Sequence, residues 1–220
     1  MGKTRRKTRT TQVATIVDPA RILLAAERIW KGNELIAKQM NQVGDVTLAE
    51  PLVVTGALAL ELYFKCLYAI EHNGRTIRGH DLYVLFSNLS QESRAAIKDE
   101  YDRLLPQNPT RAVLRRAFEK QVGTPPDEAI ESVLRGAANA FELWRYPFEG
   151  VLSSFTGCLE IRDASRLRII QLKPEYAAVR DSRSPWKKIG EEPLPLTFKR
   201  ATIISPEPGP KGCPVEEGEE

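Results

Sequence analysis

The chain has 220 residues, which is enough for one domain with a sizeable core and too few for two full domains. Its net charge of +3 is unevenly spread, because residues 1–10 carry five Lys or Arg and residues 201–220 carry five Glu. The body between them is nearly neutral, so overall charge indicates no strong nucleic-acid surface, although cations clustered in space could form one. Three cysteines without metal-ligand spacing indicate reduced thiols and a cytoplasmic location.

One long apolar stretch, residues 51–70, contains only two charged residues, Glu61 and Lys65. Its apolar residues occupy more than one face of a helix, which predicts a central helix covered by its neighbours. The stretch is long enough to span a bilayer, but two central charges would be costly in lipid and no Lys/Arg cluster flanks it. The basic start of the chain also lacks the apolar segment of a signal peptide. We therefore expect a cytoplasmic protein with no membrane span.

Helix start and stop signals predict the elements in chain order. Asp18 before Pro19 is a typical helix start, and Thr47 and Glu50 form a capping box before the central helix. Ser90 is placed to cap a later helix, and Gly44 and Gly123 are expected to end the helices that they follow. The fold class expected is all-α, a bundle of about five to seven helices around one buried central helix, with flexible N- and C-terminal tails. The predicted helices cover approximately residues 19–40, 51–72, 81–88, 91–105, 109–120, 124–144 and 159–172.

Composition predicts four parts of the chain. Residues 1–17 form a basic flexible arm, and residues 18–173 form the helical bundle. Residues 174–204 form a C-terminal extension that is partly docked, with a short strand or arm at 195–204. Residues 205–220 are rich in Pro, Gly and Glu and have little to bury, so we expect a disordered acidic tail.

Few residues carry recognisable chemistry. Neither a phosphate-cradling glycine pattern nor a metal-spaced His/Cys/Asp cluster occurs, so we expect no cofactor and no metal. Glu61 and Lys65 lie four residues apart and can pair on one helix face, either as a buried polar network or as part of a site. His80, in the segment 78–81, either ties a loop to the bundle by a hydrogen bond or transfers protons, which requires a partner nearby.

A second polar and aromatic group lies near a predicted helix end, where Arg145 is flanked by Trp144 and Tyr146. In one interpretation Arg145 pairs with Glu149 or with the buried Glu61, and Trp144 belongs to the core. In the other, Arg145 contacts a phosphate while Tyr146 stacks on a base.

Three segments occur in a recognisable order, 61–65 (ELYFK), 78–86 (RGHDLYVLF) and 144–149 (WRYPFE). Together they resemble HEPN-like domains (higher eukaryotes and prokaryotes nucleotide-binding), in particular bacterial members with a Gly-His-Asp-Leu helix and a Trp-Arg-Tyr-x-x-Glu ending. The resemblance covers about residues 20–172. It implies an all-α bundle around two long antiparallel helices, commonly dimeric, linked to RNA cleavage, nucleotide binding, toxin–antitoxin pairs and phage defence.

The ribonuclease motif of that family is missing from its usual place. Ribonuclease members carry an Arg followed after four to six residues by a His near the start of a late helix. After Arg145 this chain continues YPFEGVL, which contains no His. Arg75 and His80 have the required spacing but lie in the loop after the central helix.

The residues and the resemblance predict a non-catalytic HEPN-like helical domain that binds nucleic acid, a nucleotide or a partner protein, in a toxin–antitoxin or phage-defence context. The alternatives are a metal-independent ribonuclease with His80 and Arg145 as catalytic residues, and a purely structural interaction module. The expected partners are RNA or a nucleotide, a protein, and a second copy of the chain in a homodimer.

Unpaired charges in an apolar helix are costly, so one polar network is expected of Glu61, Lys65, His80 and Arg145. The predicted binding residues are Arg78, His80, Asp81, Arg145, Tyr146 and Glu149.

Overall fold

Helices dominate the computed structural model, which describes residues 16–44, 46–145 and 158–181. Over these ranges the structure has eight α-helices and no β-strand, so the predicted all-α class is confirmed. One predicted helix is divided in two, which brings the number above the expected five to seven. The α-helices are α1 Pro19–Val43, α2 Ala49–Glu71, α3 Leu82–Ser87, α4 Gln91–Leu104, α5 Pro109–Val122, α6 Ile130–Gly136, α7 Ala140–Leu143 and α8 Cys158–Leu172.

The first helix begins and ends at the predicted signals. Asp18 accepts a hydrogen bond from the backbone N of Ala20 at 2.9 Å, and Pro19 occupies the first helical position. Gly44 ends the helix in the left-handed conformation, with φ 69°. Between these ends α1 packs along α2.

Helix α2 is the centre of the bundle, as its sequence predicts. It packs against α1, α3, α7 and α8. Length and composition alone would let it cross a membrane, but 56% of its apolar window is buried inside the structure, as in the core helix of a soluble protein. The buried residues of α2 are Gly56, Ala57, Ala59, Leu60, Glu61, Tyr63, Phe64, Cys66, Leu67 and Ala69.

The start of α2 differs from the prediction. Thr47 lies inside a short 3-10 helix, Val46–Leu48, and the N-cap is Leu48, which caps no backbone N–H with its side chain. Because the 3-10 turn leads directly into α2, Leu48 is already helical, with φ −83° and ψ −3°. The extended residue that a side-chain cap requires is therefore absent at this position, and the predicted placement of the cap at Thr47 is wrong.

The end of α2 follows the prediction and also fixes the beginning of the described chain. Asn73 and Gly74 both have positive φ, 52° and 83°. The backbone N of Val17 donates to Gly74 O at 2.9 Å, and Ile16 forms an isolated antiparallel bridge with Arg75. A Cβ on Gly74 would lie 2.8 Å from Ile16 Cγ2, so this close approach requires glycine. The last two residues of the predicted flexible arm thus contact the fold.

Side-chain caps open α3 and α4. Asp81 Oδ1 accepts from the backbone N of Val84 at 2.9 Å, and Ser90 Oγ accepts from the backbone N of Ser93 at 3.1 Å. Asp81 is thus the N-cap itself, one position before the first turn in which the sequence places it. Gly123, with φ 84°, follows α5 as predicted.

The prediction of a single helix over residues 124–144 is wrong. Helix α6 starts only at Ile130, and residues 137–139 separate it from the short α7. In that break Ala138 O accepts a hydrogen bond from the backbone N of Leu82 at 2.9 Å, at the start of α3. A free N–H of one helix end is therefore satisfied by a carbonyl that a continuous helix would have used internally.

Helix α8 is joined to α1 by ion pairs. Arg162 Nη2 lies 3.2 Å from Glu34 Oε1, and Arg166 Nε lies 2.7 Å from Glu27 Oε1. The Arg162 guanidinium also lies over the ring of Trp30, with Cζ 4.3 Å from the ring centroid. The final helix predicted over 159–172 is confirmed to within one residue.

After α8 the 3-10 helix Pro174–Asp181 contacts α1 and α8, at the start of the extension predicted to be partly docked. The chain divides into two units, Met1–Ser182 and Arg183–Glu220, and all described residues belong to the first. The predicted features at 195–204 and 205–220, and most of the arm, lie outside the described residues.

Candidate functional site

The two ionisable residues of the central helix are paired inside the bundle. Glu61 has only 3% of its side chain exposed, and its Oε1 accepts a hydrogen bond from Lys65 Nζ at 2.6 Å. Its other oxygen, Oε2, lies 2.9 Å from His80 Nδ1. An unpaired buried carboxylate would be costly, so these contacts explain how α2 tolerates the charge. The contacts join Glu61, Lys65 and His80, which are three of the four residues expected in one polar network, and the described hydrogen bonds of this network do not include Arg145.

The residues directly before and after His80 determine its position. Gly79 before it has φ 107°, a conformation that favours glycine, and Asp81 after it caps α3. Because the Glu61 carboxylate can only accept, Nδ1 must carry the shared proton, which leaves Nε2 of a neutral ring as an acceptor. The side chain is 44% exposed. A buried carboxylate thus orients an imidazole that reaches solvent.

The ring of Phe141 connects His80 with Arg145. The centroids of the His80 and Phe141 rings are 5.4 Å apart, and Arg145 Cζ lies 5.1 Å from the Phe141 centroid. Arg145 is exposed. The structure therefore brings His80 and Arg145 to one surface, where both contact the same aromatic ring.

The other predicted binding residues have different outcomes. Asp81 uses its carboxylate to cap α3, which explains its presence without a ligand. Arg78 is exposed two residues before His80. Tyr146 and Glu149 lie outside the described residues. We call the group formed by Lys65, Arg78, His80, Phe141 and Arg145 the His80 surface.

The His80 surface carries three cationic residues, Lys65, Arg78 and Arg145. The acids beside it already accept hydrogen bonds within the protein, Glu61 through both oxygens and Asp81 as the cap of α3. The remaining donors of the cations, and Nε2–H of His80 when the ring is protonated, can serve an anionic ligand with oxygen acceptors.

Phe141 was missed as a site residue, because its position in an apolar stripe predicts only core packing. Its spacing of four from Arg145 is a signal that could have revealed the contact, since such side chains meet on a helix. The link to His80 joins residues 61 positions apart in the chain and has no local signal.

A second buried ionic group was also missed. Arg111 lies near two carboxylates, with Nη1 3.5 Å from Glu128 Oε1 and Nε 3.6 Å from Glu160 Oε1. Asn108 Nδ2 donates to Glu160 Oε1 at 2.7 Å. Burial raises the pKa of the neighbouring Tyr101 to about 12, so its hydroxyl stays protonated at neutral pH. The group joins α4, α5 and α8, and its pairings span too much sequence to be predicted.

No group of three or more His, Cys, Asp or Glu in the described ranges is placed to hold a metal ion. Comparisons with models of protein families, with curated proteins and with solved structures give no match.

Proposed function

We propose that this chain is a HEPN-like helical domain that binds the phosphate groups of RNA or of a nucleotide at the His80 surface, without cleaving them. The observation that supports this best is the double engagement of buried Glu61, which holds Lys65 and His80 in place beside the exposed Arg145. Donors that are already oriented lose little conformational entropy on binding. Cationic side chains are also the usual partners of phosphate oxygens.

Exposure favours a ligand over a purely structural role. A histidine that only connects a loop to the bundle does not need an exposed side chain. The side chain of His80 is 44% exposed, and Arg145 beside it is exposed as well. The nearly neutral body of the protein is compatible with this role, because the three cations are concentrated locally. A homodimer, a protein partner and a cytoplasmic location stay predictions.

Binding is tested by fluorescence polarisation with a labelled single-stranded oligoribonucleotide and with a labelled nucleoside monophosphate. His80→Ala and Arg145→Ala are compared with wild type, because a lost charge-assisted hydrogen bond weakens binding by about tenfold or more. For Arg145→Ala the slope of log affinity against log salt should also fall by about one.

The matched control is His72→Ala, which removes the other histidine of the chain. The His72 ring stacks on Tyr68 at the end of α2, with centroids 3.9 Å apart, and is not part of the His80 surface. We expect this variant to bind like wild type. Equal affinity of all four proteins, or no binding even at low salt, would refute the proposal.

A second candidate, a metal-independent ribonuclease, is favoured by one specific contact. A carboxylate that holds Nδ1 of a histidine and leaves Nε2 outward is the arrangement of a general base. Arg145 would then stabilise charge on the phosphate. The absence of a His in the segment after Arg145 argues against this activity.

Cleavage is tested on denaturing gels with wild type, His80→Ala and Arg145→Ala. We expect no cleavage above background by any of them. Cleavage by wild type that both substitutions abolish would establish the enzyme, and cleavage that survives both would point to a contaminating nuclease.

A further inference from the structure

A cleft lies between α5 and α6, and none of the residues that line it belongs to the His80 surface. The cleft has a volume of about 480 Å³, which is within the usual range of small-molecule pockets. One wall is a face of α5, and the other comes from Pro126 and from Val133 of α6. No sequence pattern predicts this cleft, because its two walls come from separate segments of the chain.

The acidic side chains of the cleft are already engaged. Asp127 accepts from Ser132 Oγ at 2.5 Å and from the backbone N of Ala129 at 3.1 Å. Glu128 lies 3.5 Å from Arg111 and 3.7 Å from Arg115. Glu128 is therefore paired with cations and Asp127 accepts two hydrogen bonds, so both carboxylates already have partners within the protein.

The α5 wall offers an aromatic face between two polar groups. Arg115, Phe118 and Gln121 are spaced three residues apart, so they share one side of the helix, and all three line the cleft. Phe118 is 43% exposed, Arg115 has 55% of its side chain exposed, and Gln121 is exposed as well. Because the Phe118 ring lines a cleft, its exposed face is accessible to a flat ligand bound there.

We propose that this cleft binds a nucleobase. The ring of Phe118 supplies a stacking platform, the guanidinium plane of Arg115 offers a second flat surface and donors, and the Gln121 amide can both donate to and accept from the edge of a base. Val133 and Pro126 add apolar side chains to the lining of the cleft. This site takes the uncharged part of a nucleoside, whereas the His80 surface takes phosphate, so the two can be tested separately.

The test uses adenosine, guanosine, cytidine and uridine, which carry no phosphate, and ligand-detected NMR with titration. We expect at least one nucleoside to bind wild type and to bind Phe118→Ala about fivefold more weakly or worse, the range that loss of one stacking contact produces. Phe118→Trp, which keeps an aromatic face, should retain binding.

The matched control is Val113→Ala, which removes another exposed apolar side chain of α5, 59% exposed and outside the cleft. It should bind nucleosides like wild type. Because Phe118 is partly exposed, the variants should melt at similar temperatures, which circular dichroism checks. Absence of nucleoside binding, or binding that Phe118→Ala leaves unchanged, would overturn the assignment.

The base could belong to a free nucleoside or to an RNA strand, and a single-stranded oligoribonucleotide distinguishes the two. If Phe118→Ala weakens both probes, the cleft takes a base of RNA. If it weakens only the nucleoside, the cleft takes a free small molecule. Loss of oligonucleotide binding in Arg145→Ala with unchanged nucleoside binding would show that the two sites act independently.

Discussion

Two charged groups are built around α2 and α8, and they differ in what they leave exposed. At Glu61 the buried member is a carboxylate, and its partners Lys65 and His80 point toward a surface that also carries Arg145. At Arg162 the buried member is a guanidinium, and its partner Glu34 comes from α1. The first group gathers cations at one surface, and the second ties one helix to another.

The difference shows that burial of a charge does not by itself identify a site. Arg162 has 6% of its side chain exposed and Glu61 has 3%, so the two are equally hidden. The distinction lies in the partners, because Glu34 and Asp163 are half-exposed carboxylates that solvent can hydrate without Arg162. Lys65, with 18% exposed, depends much more on Glu61.

The largest effect is expected from Glu61→Leu. It leaves Lys65 without its buried partner and should lower the free energy of unfolding by about 3 kcal/mol. Urea denaturation measures the loss. The double variant Glu61→Leu, Lys65→Met should recover most of it, and an equal loss in the single and double variants would contradict the pairing as the cause.

A smaller effect is expected from Arg162→Met. The carboxylates that remain are half-exposed, so the loss should be about 1–2 kcal/mol, mostly the cation–π contact with Trp30 and packing. Oligonucleotide binding should stay at the wild-type level, in contrast to Glu61→Leu. A binding defect in Arg162→Met at unchanged stability would break the distinction between the two groups.

His80→Ala should separate binding from stability. The side chain is 44% exposed and makes one hydrogen bond to Glu61, so its removal should cost about 1 kcal/mol of unfolding free energy while binding falls sharply. Thermal and urea unfolding are measured beside the binding assay on the same preparation. A destabilisation as large as that of Glu61→Leu would indicate that His80 is mainly structural.

The smallest effect concerns Asp127, an exposed acid outside both groups. Hydrogen bonds from Ser132 Oγ and from the backbone N of Ala129 hold its pKa below the usual 3.8. Because this pKa is lower in the folded protein than in the unfolded chain, the ionised carboxylate stabilises the fold at pH above the pKa of the unfolded state. This contribution to the free energy of unfolding is lost as the pH falls through the pKa of the folded state. The stability difference between wild type and Asp127→Asn should therefore shrink at pH below 3.8. A stability difference that stays unchanged below pH 3.8 would contradict this expectation.

Local signals predicted most of the fold. Asp18, Ser90 and Gly44 mark helix ends by their own side chain or backbone preference, and the structure uses each of them as predicted. The break between α6 and α7 has a different origin, since Ala138 O is taken by the distant Leu82 N. Tertiary contacts of this kind leave no mark on the apolar stripe that predicted one continuous helix.

The candidate site was predictable to the extent that its chemistry is local. Glu61 and Lys65 were singled out because charges are rare in an apolar helix, and the contact of His80 with them completes their pairing. Phe141 was hidden in a stripe, and the cleft beside Phe118 arises only where two helices come together. Residues that are unusual in their own segment can be predicted, whereas surfaces formed by several segments cannot.

The hydrogen bond from Leu82 N to Ala138 O has a mechanical consequence. It lies two residues after His80 and three residues before Phe141, so it clamps together the two chain segments that supply the His80 surface. The Arg135 guanidinium, which donates to the Tyr83 hydroxyl at 2.8 Å, adds a side-chain contact between the same two segments. We therefore expect the imidazole and the aromatic ring to shift together when a ligand contacts either of them.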